Sequence, residues 1–296
     1  MNGSGYRIGL SLLAAAALLG TGACGANTGQ MEQQGQSGQS ISQNLSVQKE
    51  SSSTPHLLAG KENKERVNTP LTLADLHHKY RSTFLFNGPK SLRQAALTFD
   101  DVPDTTFTAQ ILDVLKKYGV KATFFVVGNR AQAHPEMIRR IKNEGHIIGS
   151  HSYTHPNLSK TSDADFHDEI HRTEDVLAAI TGAKPKLFRP PYGNVTESQI
   201  LWLASQQYHI INWNVDSLDW KGLSADQVAD NVLGHVVPGA VILQHGAGGE
   251  GENLAGTVQA LPRIIEKLQE AHIELVTIPQ LFQINDSVKV DSPMHE

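Results

Sequence analysis

The sequence predicts an α/β domain in which helices cover a largely parallel β-sheet. Short apolar runs with the length of buried strands alternate with segments of helical spacing from Ala95 to Ile278. Glycines end the helical segments, and polar residues follow the strands directly. An open doubly wound sheet and a closed or distorted barrel both satisfy this alternation, and either places the chemistry at the carboxyl ends of the strands.

The predicted elements follow one another in a regular order. Apolar and β-branched runs predict strands at 95–99, 121–127, 146–150, 209–215, 240–243 and 273–278. Apolar residues at helical spacing predict helices at 111–118, 137–141 and 166–180. Two capping-box sequences, Thr196-Glu-Ser-Gln199 and Ser224-Ala-Asp-Gln227, predict where two further helices begin.

The composition narrows the possible function classes. The chain has 296 residues and a formal net charge of −5, and this mild acidity argues against nucleic acid as a partner, which would call for a basic face. Cys24 is the only cysteine, so no intramolecular disulfide can form. The 14 histidines are a weak indication of metal chemistry, because most histidines in any protein are surface or core residues.

The first residues have the pattern of a secretory signal peptide, which we place at 1–23. The apolar run at 8–19 is too short to span a bilayer as a helix, which needs about 20 residues. Small residues and then Cys24 follow, as in a bacterial lipoprotein signal, in which the cysteine is acylated. Thr21 stands where that signal usually has Leu, so cleavage by an ordinary signal peptidase is the alternative.

Several segments surround the predicted domain. Residues 24–68 are rich in Ser, Gln and charge and poor in apolar side chains, so we expect a disordered linker. Acylation of Cys24 would anchor the secreted protein at the cell membrane, and the linker would let the domain reach into the cell wall. We place a lead-in segment at 69–91, the domain at 92–284 and a C-terminal tail at 285–296.

Two adjacent carboxylates, Asp100 and Asp101, end the first predicted strand. Neighbouring side chains point in different directions, so one can bind a metal while the other faces a reacting water. Taken alone, an Asp-Asp pair fits a turn or a helix cap better than a catalytic site.

Two histidines, His151 and His155, follow the third predicted strand. Their four-residue spacing lets two imidazoles meet on one cation. Together with one carboxylate they would leave open positions on the metal, as a catalytic site requires, whereas a fourth protein ligand would indicate a structural site.

Later segments carry further polar groups. Arg189-Pro-Pro-Tyr192-Gly193 is a rigid turn in which the arginine can hold a carboxylate and the backbone amides face a defined direction. Asp216 follows one strand and His245 another, and a histidine at a strand end can act as a general acid when a carboxylate keeps it protonated. Each feature alone fits a surface turn or a satisfied core residue better than a catalytic role.

Taken in order, five segments closely resemble the motifs of the polysaccharide deacetylase family with the NodB homology domain, carbohydrate esterase family 4. They are Thr98-Phe-Asp-Asp101, His151-Ser-Tyr-Thr-His155, Arg189-Pro-Pro-Tyr192, Asp216-Ser-Leu-Asp-Trp220 and Leu243-Gln-His245. The resemblance extends from about Leu92 to Phe282. It implies a distorted (β/α) barrel and metal-dependent removal of N- or O-linked acetyl groups from chitin, peptidoglycan, xylan and related polymers.

The resemblance also implies roles for individual residues. Asp100 corresponds to the general base, with Arg189 orienting it, and His245 corresponds to the general acid, with Asp216 tuning it. Tyr192 corresponds to the residue whose backbone N–H helps to form the oxyanion hole.

The remaining implied residues hold the metal and the substrate. One divalent metal is expected, and zinc suits the ligands best, although cobalt, nickel or iron also fit. Its implied ligands are Asp101, His151 and His155. The implied substrate-binding residues are Tyr192, Trp220 and Leu243, of which Trp220 and Leu243 would form apolar walls and fit core packing equally well.

Two positions depart from the family pattern. Val102 follows the Asp pair where the family often has Gly, and Gly246 follows His245 where the family commonly has Asp. Val disfavours the positive φ that Gly allows, so we expect a different loop shape there. The glycine-rich stretch 246–252 lies beside the expected acid and is expected to shape substrate access.

The sequence therefore predicts a secreted, metal-dependent deacetylase acting on the N-acetylglucosamine residues of a cell-wall polymer. A lipoprotein facing the cell wall would meet peptidoglycan as its nearest abundant substrate. The alternatives are a chitin-type or O-acetylated polymer and a non-catalytic carbohydrate-binding lipoprotein on the same fold. The sequence carries no clear signal for an oligomer.

Overall fold

The computed structural model describes residues 54–55, 72–249 and 251–290. The predicted signal peptide, Cys24 and almost all of the predicted linker lie outside these residues. Within the described parts of the chain, no helix combines the length and the apolarity needed to cross a membrane.

The strands in the described residues are β1 Phe84–Leu85, β2 Gln94–Val102, β3 Thr123–Val126, β4 Ile147–Ser150, β5 Ala183–Pro185, β6 Leu187–Phe188, β7 His209–Ile211, β8 Val215–Asp216, β9 Ala240–His245, β10 Glu274–Leu275 and β11 Ser287–Lys289. Nine of these described strands form a parallel sheet in the order β1-β7-β6-β4-β3-β2-β9-β8, with β10 beside the start of β2. The sheet curls into an open half-barrel with helices around it, which confirms the predicted distorted (β/α) barrel.

The helices begin and end at residues whose chemistry explains the boundaries. Thr196 and Ser224 form the two predicted capping boxes, and Gly119 and Gly182 adopt the left-handed conformation that ends two other helices. The helices in the described residues are α1 Leu73–Lys79, α2 Phe107–Tyr118, α3 Gly128–Ala133, α4 Pro135–Asn143, α5 Asp163–Thr181, α6 Glu197–Ser205, α7 Ala225–Leu233, α8 Ala255–Glu270 and α9 Ile278–Phe282.

The two faces of the sheet bury different clusters. On β2, Ala95, Leu97 and Phe99 pack into the large apolar cluster under the outer helices, whereas Ala96 belongs to a separate cluster. Because side chains alternate along a strand, Asp100 shares the inner face with Ala96. The inner face therefore changes from apolar residues at its base to charged residues at the carboxyl ends of the strands.

Strands also form on both sides of the expected domain limits of 92 and 284. Phe84–Leu85 pairs with β7, so the expected lead-in segment contributes a strand to the main sheet. Ser287–Lys289, in the expected tail, pairs antiparallel with β5 in a separate two-stranded sheet. Both strands are too short to show an alternating pattern in the sequence.

Candidate active site

The end of β2 places the two adjacent aspartates in different environments. Asp100 stands in register with His245 on β9, and the N–H of Gly246 donates to the Asp100 carbonyl over 2.9 Å. Asp101 has a φ of 66°, in the left-handed region. A non-glycine residue there costs of order 1–3 kcal/mol and needs support. Arg130, buried nearby, supplies it by donating from Nη1 to the Asp101 carbonyl over 2.8 Å.

The side chains of Asp101, His151 and His155 converge, as expected from the sequence. Asp101 Oδ1 lies 3.1 Å from His155 Nε2 and 3.4 Å from His151 Nε2. All three side chains are buried, and their potential ligand atoms lie within 4.8 Å of one another.

These residues fit a divalent metal. Asp101 Oδ1 is buried and has no hydrogen-bond partner among the described residues, an arrangement that is costly unless a cation completes it. Two imidazoles and one carboxylate are also the donor set of a catalytic metal site with open positions. Such a metal would supply Lewis acidity toward a bound oxygen.

Contacts to Nδ1 of the two imidazoles orient their Nε2 atoms toward Asp101. His151 Nδ1 lies 2.7 Å from the Arg189 carbonyl, so it carries the proton and donates, which leaves Nε2 free to bind a cation. His155 Nδ1 lies 3.0 Å from the hydroxyl of Tyr192, and the two rings pack edge to face. Tyr192 thereby contributes a side chain to the site in addition to the backbone N–H that the sequence indicated.

The charges in the cluster shift one another's pKa. Burial would raise the pKa of Asp101, but His155 and His151 outweigh burial and hold this pKa well below its ordinary value. Burial would lower the pKa of His151, but Asp100 and Asp101 outweigh that effect and raise it. The carboxylate of Asp101 is therefore ionised, the form that a metal ligand requires.

Arg189 holds Asp100 in one orientation. Its fully buried guanidinium donates from Nη1 to Asp100 Oδ1 over 2.6 Å and to Thr98 Oγ1 over 2.8 Å, and Nε donates to the Ile211 carbonyl over 2.9 Å. Burial lowers the pKa of Arg189, and Asp100 opposes this shift. Since Oδ1 is occupied, Asp100 Oδ2 is the oxygen on the side of the cluster, 3.7 Å from His151 Nε2.

The carboxylate that contacts Nδ1 of His245 is Asp219, whereas the sequence assigned the tuning of His245 to Asp216. Asp219 Oδ1 lies 2.8 Å from His245 Nδ1. Asp219 Oδ2 also accepts the His245 N–H and the hydroxyl of Thr257, each over 2.8 Å. Leu218 adopts a left-handed conformation that turns the chain and brings Asp219 beneath β9, while Asp216 Oδ1 accepts the N–H of Leu218.

Asp219 is a carboxylate that the sequence did not select, although it is the second acidic residue of the same Asp-Ser-Leu-Asp-Trp segment. Burial would raise the pKa of Asp219, but His245 and the hydrogen bonds from His245 and Thr257 outweigh burial and lower it. The ionised carboxylate therefore fixes the proton of His245 on Nδ1.

Leu243 and Trp220, the residues expected to form apolar walls, stand on the elements that carry His245 and Asp219. Leu243 is buried and stands in register with Thr98, so it faces the interior of the barrel below His245. Trp220 is partly exposed in the short turn that also contains Asp219. Trp213, which the sequence did not indicate, packs so close to Gly193 that a Cβ at that glycine would lie 2.9 Å from its ring. Its position between two short strands showed no periodic pattern.

The two departures from the family pattern contact each other. Asp101, and not Val102, carries the positive φ, so Val102 remains in the strand and pairs with Val126. A Cβ at Gly246 would lie 2.4 Å from Val102 Cγ1. Val102 thus occupies the space that a side chain at 246 would need.

The fold and the site together define a class of protein. A buried cluster fit for a metal, a carboxylate fixed by a buried arginine and a histidine fixed by a second carboxylate meet at the carboxyl ends of parallel strands. This is the arrangement of a metal-dependent hydrolase with a separate base and acid.

Comparisons with known proteins identify the family. Residues 87–211 match the polysaccharide deacetylase family profile. The chain is 46% identical over 206 residues to a peptidoglycan-N-acetylglucosamine deacetylase from Bacillus cereus, which covers 70% of this chain and 74% of that protein. The chain therefore belongs to the polysaccharide deacetylase family.

Solved structures agree with this assignment. A crystal structure of a peptidoglycan N-acetylglucosamine deacetylase is similar with a TM-score of 0.68 and 46% identity, covering 70% of this chain and 95% of that one. A mutant of a Bacillus anthracis pseudoenzyme of carbohydrate esterase family 4, with restored enzymatic activity, is similar with a TM-score of 0.63 and 30% identity. The match covers 73% of this chain and 75% of that one. Because a pseudoenzyme shares this fold, the fold alone does not establish activity, which depends on the residues of the site.

Proposed function

We propose that this protein removes N-acetyl groups from N-acetylglucosamine residues of peptidoglycan, giving acetate and a free amino sugar. The observation that carries the proposal is the complete set of groups around one site: the Asp101, His151 and His155 cluster, Asp100 on Arg189, and His245 on Asp219. Relatives named as peptidoglycan deacetylases support the choice of substrate.

The residues divide the proton transfers of amide hydrolysis between two sides of the site. Asp100 Oδ2 accepts a proton from the attacking water, while Arg189 keeps Oδ1 engaged and the carboxylate in place. His245 donates the proton of Nε2 to the departing amine nitrogen, because Asp219 holds Nδ1. The Tyr192 backbone N–H is assigned to the oxyanion of the tetrahedral intermediate.

The metal that we propose is zinc, held by Asp101, His151 and His155. Zinc suits two imidazoles and a carboxylate, and cobalt, nickel and iron are candidates for the same ligands. When bound, it would polarise the acetyl carbonyl and acidify water.

The proposed setting is the outer face of the cell membrane. The apolar run at 8–19 followed by Cys24 supports secretion and acylation, and residues 24–68 would be long enough to carry the domain into the cell wall. Labelling with a fatty-acid analogue should mark the protein, and Cys24→Ser should abolish the label and release the protein into the medium. A labelled Cys24→Ser protein would contradict this assignment.

Acetate release from peptidoglycan and from N-acetylglucosamine oligomers tests the proposed activity. The zinc-loaded protein should release acetate from peptidoglycan, lose this activity with a chelator and regain it when zinc is restored. Greater acetate release from chitin-type oligomers, or from an O-acetylated polymer, would show that this polymer, and not peptidoglycan, is the preferred substrate. No acetate from any of these with zinc or cobalt supplied would favour the alternative of a non-catalytic carbohydrate-binding protein.

A further inference from the structure

The turn between the two histidines of the cluster has a strained backbone, in which the His155 N–H donates to Ser152 Oγ over 3.1 Å. Ser152 and His155 both adopt left-handed backbone, with φ of 64° and 63°. Non-glycine residues in this region are strained, and surrounding contacts must offset the strain. The positions of both imidazoles therefore depend on whatever binds the backbone of this turn.

A single buried carboxylate binds the amides at the centre of the turn. Glu169 Oε2 accepts the N–H groups of Tyr153 and Thr154, each over 2.7 Å. Glu169 Oε1 accepts the Thr154 hydroxyl over 2.6 Å. Glu169 lies on α5, 8% exposed, and three short hydrogen bonds to a charged acceptor form a strong local restraint.

The carbonyl side of the same turn is held by the start of α3. The N–H of Gly128 donates to the Ser152 carbonyl over 2.9 Å, and the N–H of Asn129 donates to the Tyr153 carbonyl over 3.0 Å. The turn is therefore bound on both sides, and Glu169 is the side chain that binds it from α5.

We propose that Glu169 is a positioning residue that sets the separation and direction of His151 and His155 and thereby the metal affinity of the site. This inference rests on the proposed metal-dependent function. Without the carboxylate, two backbone N–H groups would lose their acceptor and the strained turn would relax. Loss of such outer contacts typically lowers metal affinity about 10–100-fold.

The chain offers a matched control on the same helix. Glu174 is also buried, at 6% exposed, but it accepts from Lys186, Lys184 and Tyr208 over 3.0–3.1 Å and makes none of the contacts that hold the turn. Replacing Glu174 removes a buried carboxylate of similar exposure from α5. It therefore reports the effect of a general loss of stability.

The test measures metal binding directly. Zinc affinity by chelator competition, and the ligand-field absorption of Co²⁺, are compared in the full chain for Glu169→Ala, Glu169→Gln and Glu174→Ala. Glu169→Ala should bind zinc about 10–100-fold more weakly, with an altered cobalt spectrum. Glu169→Gln should restore most of the affinity, because its amide oxygen can accept both N–H groups while its NH2 donates to the Thr154 hydroxyl. Glu174→Ala should leave affinity and spectrum unchanged.

Two outcomes overturn the inference. The first is that Glu169→Ala binds zinc within twofold of the wild-type affinity, and the second is that Glu174→Ala loses as much affinity as Glu169→Ala. If Glu169→Ala does not fold, Thr154→Val removes one of the three bonds and should still lower the affinity, and an unchanged affinity counts against the role. A wild-type chain that binds metal but releases no acetate refutes the proposed function and leaves this inference standing.

Discussion

The contact between Val102 and Gly246 makes a prediction whose size follows from the structure. In Gly246→Ala, the new Cβ would lie 2.4 Å from Val102 Cγ1, far inside the ~3.5–4.0 Å of an ordinary carbon contact. Val102 is fully buried in β2 and β-branched, so it cannot turn its methyl groups away. The backbone of Gly246 is outside the left-handed region, so the cost of the alanine is steric.

The expected losses in the free energy of unfolding come from overpacking in one variant and from removed methyl groups in the other. Gly246→Ala should lower the free energy of unfolding by about 1–3 kcal/mol through overpacking. Val102→Ala should cost about 1–3 kcal/mol for two lost methyl groups. In the double variant the clash is gone, and the next atom, Phe99 Cβ at 3.4 Å, is tolerable. The two substitutions should therefore couple favourably by at least about 1 kcal/mol.

Urea denaturation of the four proteins in this double-mutant cycle measures the coupling. Acetate release measures its effect on the site, because the Gly246 N–H donates to the Asp100 carbonyl and Gly246 follows His245. We expect kcat to fall in Gly246→Ala and to recover partly in the double variant. A coupling energy below about 0.5 kcal/mol would refute the reasoning, since residues in contact couple by more than this.

Three further predictions concern single residues. Asp219→Asn should lower kcat by about 10²–10⁴ and more than Asp216→Asn does, and equal losses would contradict the assignment of Asp219 as the partner of the acid. Asp100→Asn should lower kcat by a similar factor while zinc content, measured by atomic absorption, stays at the wild-type level; a variant without zinc would make Asp100 a ligand. Burial lowers the pKa of His146 from 6.5 to about 4, so the unfolded chain binds the proton more readily between these values. Stability is therefore fully present above pH 6.5 and falls toward pH 4, by at most about 1.4 kcal/mol per pH unit, and urea titrations of His146→Gln should show a flatter profile over that window.

The repeating part of the fold was accessible from the sequence for a simple reason. Strand and helix periodicity are local properties, and they correctly predicted the main strands that end at the site residues. The capping boxes correctly predicted the two helices that begin at Thr196 and Ser224. The run at 209–215 was predicted as one strand, but the chain forms two short strands, β7 and β8, on different parts of the sheet. Which neighbour a strand pairs with depends on contacts distant in sequence, which periodicity does not contain.

The same division applies to the site. The residue types and their order along the chain determined the family and the set that converges, because polar groups at the carboxyl ends of parallel strands must meet on one face. Only the tertiary structure decided that Asp219 contacts His245 and that Val102 fills the space beside Gly246. It also decided that Arg130 binds the backbone of Asp101, and that Glu169 binds the backbone between the two histidines. Each of these is a buried contact set by backbone direction and by elements far apart in the chain, and such contacts leave no periodic pattern in the sequence.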